Sequence, residues 1–420
     1  DIAMSGTLKA TFQTVWGGES ILFPNGMTVE KFINDILMTV FFFTVGLEIR
    51  REMKNGELSS LKKAMMPVIA AFGGVVAPAL IFTAINHGSA AASGWGIPTA
   101  TDIAFAVGIL SILGDRVPVS LKVFLTALAI ADDLIAILVV ALFYGGTINF
   151  GLLSIAFVLI VLVLLMNKLG EKRGWFYLVP AIAIWSLFYY AGIHSTMSGV
   201  VMAFLVPMTP RFNEAYFHRK RLQYIRRLNE YNGIASTSSE FPNGPQRHCL
   251  RRLSAISRDS IGMSYRLEHA LGPWVNFLIM PIFALANAGV EIPDVSYFNV
   301  FQFDQVLGSV SMGIFLGLVL GKPLGISLAS FIAVKLHVGE MPAKSTWPML
   351  IAVACLGGIG FTMSIFVDTL SFGDQTPEVM ARLRDMGKVA VLMGSLCAGI
   401  LGSVLINIIH GIESRKAVKA

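Results

Sequence analysis

Charge is what this chain has least of. Only 14% of its 420 residues are charged, against about a quarter in soluble domains. That shortage argues against a soluble enzyme built around one large core. Cysteine is also scarce. Cys249, Cys355 and Cys397 are the only three, and their spacing matches neither a disulfide framework nor a thiolate metal centre. They read as small buried or free thiols. Strictly alternating strands, which a membrane barrel would need, do not stand out either.

What the chain does have is apolar sequence: 55% of it is hydrophobic, and the mean hydropathy is +0.70. Eleven apolar stretches run roughly over 32–49, 64–86, 97–113, 119–144, 151–169, 175–191, 192–207, 268–290, 305–334, 345–369 and 386–411. Most are long enough for a helix to cross a bilayer. Backbone polar groups in lipid must be satisfied within the segment, so these stretches read as helices. The expectation is an all-α polytopic membrane protein.

The net charge of +6 is not a nucleic-acid signature, because it is sorted by membrane side. Arg50, Arg51, Lys54, Lys62, Lys63, Arg116, Lys122, Lys168, Lys172 and Arg173 share one side with the basic segment 208–267, with Lys335 and Lys344, and with the C-terminal Arg415, Lys416 and Lys419. The other side has only Lys9, Lys31, Arg382, Arg384 and Lys388. The positive-inside rule makes the basic side cytoplasmic. The C-terminus is then inside and Asp1 outside. Position 1 is Asp rather than Met, so the expectation is a preceding helix, a native total of twelve spans and both ends in the cytoplasm.

The chain divides into an extracytoplasmic segment 1–31, spans over 32–207, a basic cytoplasmic loop 208–267, spans over 268–411 and a cytoplasmic tail 412–420. The ends of the 208–267 loop have the character of amphipathic helices on anionic lipid. The simpler reading is a solvated, partly disordered loop.

Two spans are interrupted. "GWGIPTATDIAFAVGIL" (Gly94–Leu110) carries Pro98, Thr99, Thr101 and Asp102, and "CLGGIGFTMSIFVD" (Cys355–Asp368) carries Gly357, Gly358 and Gly360. Glycine and proline weaken a helix, and unwound backbone at membrane depth persists where it lines a cavity or is buried in protein. Each is the middle of a three-span group, over 64–144 and 305–411. Corresponding spans are an odd number apart, so the groups have opposite orientation. Inverted repeats with discontinuous, crossing helices point to a transporter site between them.

Ionisable residues inside spans are costly and mark function. Asp132 and Asp133 are adjacent in "FLTALAIADDLIAILVVALFY". Helical neighbours point about 100° apart, so one carboxylate can face an ion cavity while the other meets a cation on a neighbouring helix. Hard oxygen ligands suit Na⁺, and a crowded, desolvated pair holds protons that the metal ion displaces. Lys322 in "GLVLGKPLGI" is a candidate partner for Asp132. Asp102 and Thr101 sit at the first break, where a carboxylate can neutralise helix N-termini and a hydroxyl can add a ligand. His194 near a span start reads as structural or modulatory. Two rivals use similar parts. An intramembrane aspartyl protease needs two carboxylates meeting across one water, and neighbours on one helix diverge. A passive cation channel needs repeated carbonyl or acidic rings, which one asymmetric chain does not suggest. An antiporter of this architecture using potassium is a third possibility.

The stretches "INDILMTVFFFTVGLEIRREM", "PTATDIAFAVGIL", "ALAIADDLIAI", "RLEHALGPW", "FALANAGV", "GKPLGISL" and "GIGFTMSIF" resemble the NhaA-type bacterial sodium/proton antiporters over nearly the whole chain. That family is itself a known example of the inverted-repeat pattern. The resemblance implies an inner-membrane transporter, not an enzyme, with Na⁺, Li⁺ and H⁺ as its cargo and no cofactor. It implies Asp132, Asp133 and Thr101 at the ion site, with Lys322 and Asp102 balancing charge. It further implies electrogenic exchange by alternating access, activation at alkaline pH through Glu48, Arg51, Glu52, Glu268 and His269, and a homodimer in the bilayer without nucleic-acid partners. The chain departs from the pattern in lacking the family's first helix, in the length of its 208–267 loop, and in having Gly272 and Tyr265 at two response-region positions.

Overall fold

The computed structural model describes residues 29–145, 148–234, 244–287, 289, 300, 308–343, 345–373 and 375–419. Nearly all of segment 1–31, the start of the 305–334 stretch and the end of 268–290 lie outside the described residues.

Each expected apolar stretch has a helical counterpart. The continuous spans are α1 (Phe32–Asn55), α2 (Leu61–Ile85), α4 (Val119–Phe143), α5 (Phe150–Lys168), α10 (Met263–Asn287), α11 (Val310–Lys335) and α14 (Pro377–Lys419). Two interrupted spans add a 3-10 helix (Ala90–Thr99) leading into α3 (Ile103–Leu113), and the pair α12 (Trp347–Leu356) and α13 (Phe361–Leu370). They bend by 41° and 50° at their breaks. Two shorter apolar helices, α6 (Trp175–Ala191) and α7 (Met197–Leu205), account for the rest. Residues 192–207 yield only nine residues of helix, because Gly192 caps α6 in a left-handed conformation at φ 81° and a turn follows.

Burial sorts these helices into a centre and a periphery. Within its apolar window α4 is 72% buried, whereas α5 is 11% buried and lies on the lipid-facing edge. Apolar side chains gain nothing from leaving lipid, so close packing of small residues draws membrane helices together. Such packing brings the backbones of α2 and α11 into direct contact. A Cβ on Gly73 would strike the Gly325 carbonyl oxygen, and a Cβ on Gly325 would strike that of Gly73. This backbone-to-backbone seat holds α11 deep in the molecule.

Segment 208–267 forms two helices, α8 (Glu214–Ile234) and α9 (Gly244–Asp259), in place of a loose loop. Both are rich in helix-favouring Arg and Leu. Cys249 and Ile256 are the buried residues of α9. The turn-rich residues 235–243 between them lie outside the described residues. Asp259 ties the end of α9 back: its carbonyl accepts from the Arg211 N–H at 2.9 Å, and its carboxylate lies 3.5 Å from Arg211 and Arg266.

Candidate ion site

The two helix breaks meet at the centre of the molecule. The Asp102 N–H donates to the Ile359 carbonyl at 2.7 Å, and the Thr101 hydroxyl donates to the Gly357 carbonyl at 2.8 Å. Unwound backbone from each span therefore satisfies the other.

Asp102 lies where two helix N-termini converge. One oxygen caps α3 by accepting from the Phe105 N–H at 3.2 Å. The other accepts from the Thr362 N–H at 3.1 Å and from the Thr362 hydroxyl, at the first turn of α13. Helix N-termini carry partial positive charge, so one carboxylate offsets two of them. The Ser395 hydroxyl of α14 finishes the second cap, accepting from the Gly360 N–H at 3.2 Å and the Phe361 N–H at 3.0 Å. Ser395 escaped the sequence reading, because a lone serine in an apolar helix has no distinguishing spacing.

Lys322 is fully buried. It donates to Asp132 and, at 2.8 Å, to the Thr101 hydroxyl. Two helices and the unwound break of the first interrupted span thus supply the carboxylate, the ammonium and the hydroxyl. The α2–α11 glycine seat brings Lys322 into range, with Gly74 of α2 lying against its stem. One oxygen of Asp132 remains buried without a hydrogen-bond partner.

Asp133 faces another way. It lines a cavity of about 370 Å³ together with Asp102, Glu48, Glu268 and His269. One of its oxygens is buried without a partner. The residues at the far end of this cavity adjoin Arg51, which is hydrogen-bonded to Glu268, 3.2 Å from Glu52 and 3.7 Å from Glu48. Arg51 belongs to the basic side of the sequence's charge asymmetry. His269 packs against the Tyr265 ring at 4.2 Å. The two adjacent aspartates therefore diverge, one to a lysine and one to a cavity. This divergence is unlike a protease dyad, whose two carboxylates must converge across one water.

The opposite side is closed by aromatic packing. The Tyr144 hydroxyl accepts from the Gly96 N–H at 3.0 Å and donates to the Ser93 carbonyl at 2.8 Å. Trp95 meets Phe143 edge-on at 5.1 Å, and the Phe372 ring leaves no room for a Cβ on Gly94. The ring of His194 contacts the Tyr144 carbonyl, which puts it in this closed layer and away from the carboxylates. Among the described residues, no cluster of His, Cys, Asp and Glu has the arrangement of a resident metal centre.

The family model described as Na⁺/H⁺ antiporter 1 matches residues 2–406. The chain belongs to that family. It is 42% identical over 377 residues to the Na⁺/H⁺ antiporter NhaA of Syntrophobacter fumaroxidans, covering 90% of this chain and 78% of that protein. It is 40% identical over 414 residues to the NhaA of Oleidesulfovibrio alaskensis, covering 97% and 89%. The NhaA of Pelagibacter ubique is 43% identical over 377 residues, covering 90% and 82%. Membership fixes the class as sodium/proton antiport in a multi-pass bacterial inner-membrane protein. It also disfavours the protease and channel readings.

Proposed function

We propose that Asp133 and Asp132 bind Na⁺ and H⁺ in alternation, and that the chain exports sodium by alternating access. The carrying observation is the divergence of the two carboxylates: Asp133 on a cavity that leads towards the basic face, Asp132 on Lys322. Thr101 adds a hydroxyl oxygen beside them. Burial makes a bare carboxylate expensive, so this pocket is stable when a proton, the lysine or an alkali cation neutralises it.

With the cavity open to the cytoplasm, protons leave and Na⁺ takes Asp133 and the free oxygen of Asp132. Lys322 then loses part of its hold on Asp132. The crossed helix breaks, held by a few hydrogen bonds, provide a centre about which the two three-span groups can rock. Once the aromatic side opens, Na⁺ departs outward and protons return. Two carboxylates serving one Na⁺ make the exchange electrogenic, with more protons than sodium ions per cycle. Li⁺ fits the same hard oxygen set.

Glu48, Arg51, Glu52, Glu268 and His269 form the cytoplasmic mouth and regulate access with pH, raising activity under alkaline conditions. Their support is the Arg51-centred ion-pair cluster at the end of the cavity, since any change in the charge of that cluster changes the field an entering cation meets. The homodimer and the roles of Lys322 and Asp102 as charge balancers belong to the same reading. The test is Na⁺-driven dissipation of a proton gradient in proteoliposomes, scanned across pH and against Li⁺ and K⁺. Full exchange by Asp133→Asn would refute the site, and K⁺ replacing Na⁺ would refute the cargo.

A further inference from the structure

Among the described residues, Asp368 is the one fully buried carboxylate that the exchange cycle above leaves unused. It lies near the outer end of α13, two turns beyond Phe361. Its exposure is zero, and neither oxygen has a hydrogen-bond partner. The space it fills is made for it by Gly387 of α14, where a Cβ would collide with its Oδ1 and lie 3.1 Å from its Cγ. The layer around it is the aromatic closure: Ser371 and Phe372 follow it in sequence, and Tyr144 interacts with it electrostatically. Among the described residues, the other charged groups that face it are Lys388, Arg384 and Asp385, all on α14. The two cations are turned to backbone carbonyls. Arg384 donates to the Ser371 carbonyl at 3.1 Å, and Lys388 reaches that of Gly289 at 3.4 Å.

A carboxylate in such a place is paired or protonated, because an isolated buried charge is prohibitively costly. Among the described residues no pairing partner touches Asp368, so this closed layer favours its neutral form over a bare charge. When the layer opens to the outside, water reaches the group and it ionises. The layer cannot then close again over a bare charge. A proton from external water must first return to a carboxylate oxygen.

We propose that Asp368 is a proton-binding site on the extracytoplasmic side, whose protonation from outside licenses the return to the cytoplasm-facing state. It is separate from the Asp132–Asp133 pair, and it couples the resetting step to external pH. This rests on the alternating-access reading and deepens it. A plain structural role for Asp368 predicts altered yield or stability but no selective response to outer pH.

The test uses full-length protein in oriented proteoliposomes, with cytoplasmic-side pH held constant and outer pH varied. In the unaltered protein, exchange falls as outer pH rises, since both the ion site and Asp368 need external protons. Asp368→Asn is permanently neutral and removes one of those requirements. Its fall in exchange is expected about one pH unit higher or with a shallower slope, with the cytoplasmic KM for Na⁺ unchanged within about twofold. A normalised outer-pH profile superimposable on that of the unaltered protein overturns the proposal, as does a matching change in cytoplasmic KM. Lys388→Gln keeps Asp368 but removes a neighbouring cation, so the carboxyl holds its proton to higher outer pH and the profile moves in the alkaline direction. An unmoved profile in that variant also overturns the proposal, even if Asp368→Asn fails to accumulate. Failure of the ion-site reading would look different: Asp133→Asn would then exchange normally at every outer pH.

Discussion

Lys322 and Asp132 are joined by a hydrogen-bonded ion pair in which both side chains have zero exposure. The two residues come from α4 and α11, one from each three-span group, and the Thr101 hydroxyl at 2.8 Å completes the contact. An ion pair this deep contributes little net stability, but breaking it from one side leaves a charge with no solvent and no partner.

Replacing Lys322 by Met should therefore lower thermal stability sharply, by about 3–5 kcal/mol. The double variant Lys322→Met with Asp132→Asn removes both charges and should recover most of the loss. Melting of the detergent-solubilised protein, monitored by fluorescence size exclusion, measures both. A single variant as stable as the unaltered chain would contradict the pairing.

Asp133→Asn should abolish sodium-dependent exchange and leave folding intact, because Asp133 faces a cavity and one of its oxygens has no hydrogen-bond partner among the described residues. The paired measurement is elution as a sharp single peak together with loss of ΔpH dissipation in everted vesicles.

Sodium and protons compete for the same oxygens in this reading. The apparent KM for Na⁺ should then rise as cytoplasmic pH falls, by roughly tenfold per unit for each proton displaced once the protonated site predominates. The sign follows directly: acid fills the site with H⁺ and alkali vacates it. A KM that stays flat from acid to alkaline pH would rule out direct competition.

Gly325→Ala should damage the site without touching it. The added methyl would run into the Gly73 carbonyl and push α11 away from α2, carrying Lys322 off Asp132. Overpacking of this kind costs about 1–3 kcal/mol. Exchange rate and melting temperature should fall together, and the conservative Gly108→Ala, at a glycine with open space around it, serves as the control.

Asp102→Ala should weaken both α3 and α13, since it strips one carboxylate from two helix N-termini. Each lost cap is worth about 0.5–2 kcal/mol. Asp102→Asn retains acceptor capacity and should be milder in stability than Ala. Thermal melting of the two variants side by side gives the order.

Much of this was legible before any coordinates. The shortage of charge and the lengths of the apolar runs gave the membrane class, because lipid imposes the same demand on every segment. Pro98 and Gly357–Gly360 marked both breaks, since those residues cannot sustain a helix unaided. Asp132 and Asp133 stood out because carboxylates at that depth are too costly to be incidental. Ser395, Tyr144 and Gly387 carried no such mark. A serine, a tyrosine at a helix end and a glycine are ordinary in a membrane helix, and each acquires its role only from what lies across from it. For the 208–267 segment the sequence allows both amphipathic helices at its ends and a loose loop, because its polarity leaves few apolar contacts to decide between them, and the described residues form the helices.

The sequence by itself determined that the chain crosses the membrane many times, which face is basic and which residues are too expensive to be decorative. Those properties depend on local composition and on the fixed geometry of a helix in lipid. Only the tertiary structure decided that Lys322 meets Asp132, that Asp102 serves two helices at once and that Asp368 is sealed beside Gly387. Such relationships join residues far apart in the chain, and they depend on how closely two backbones can approach.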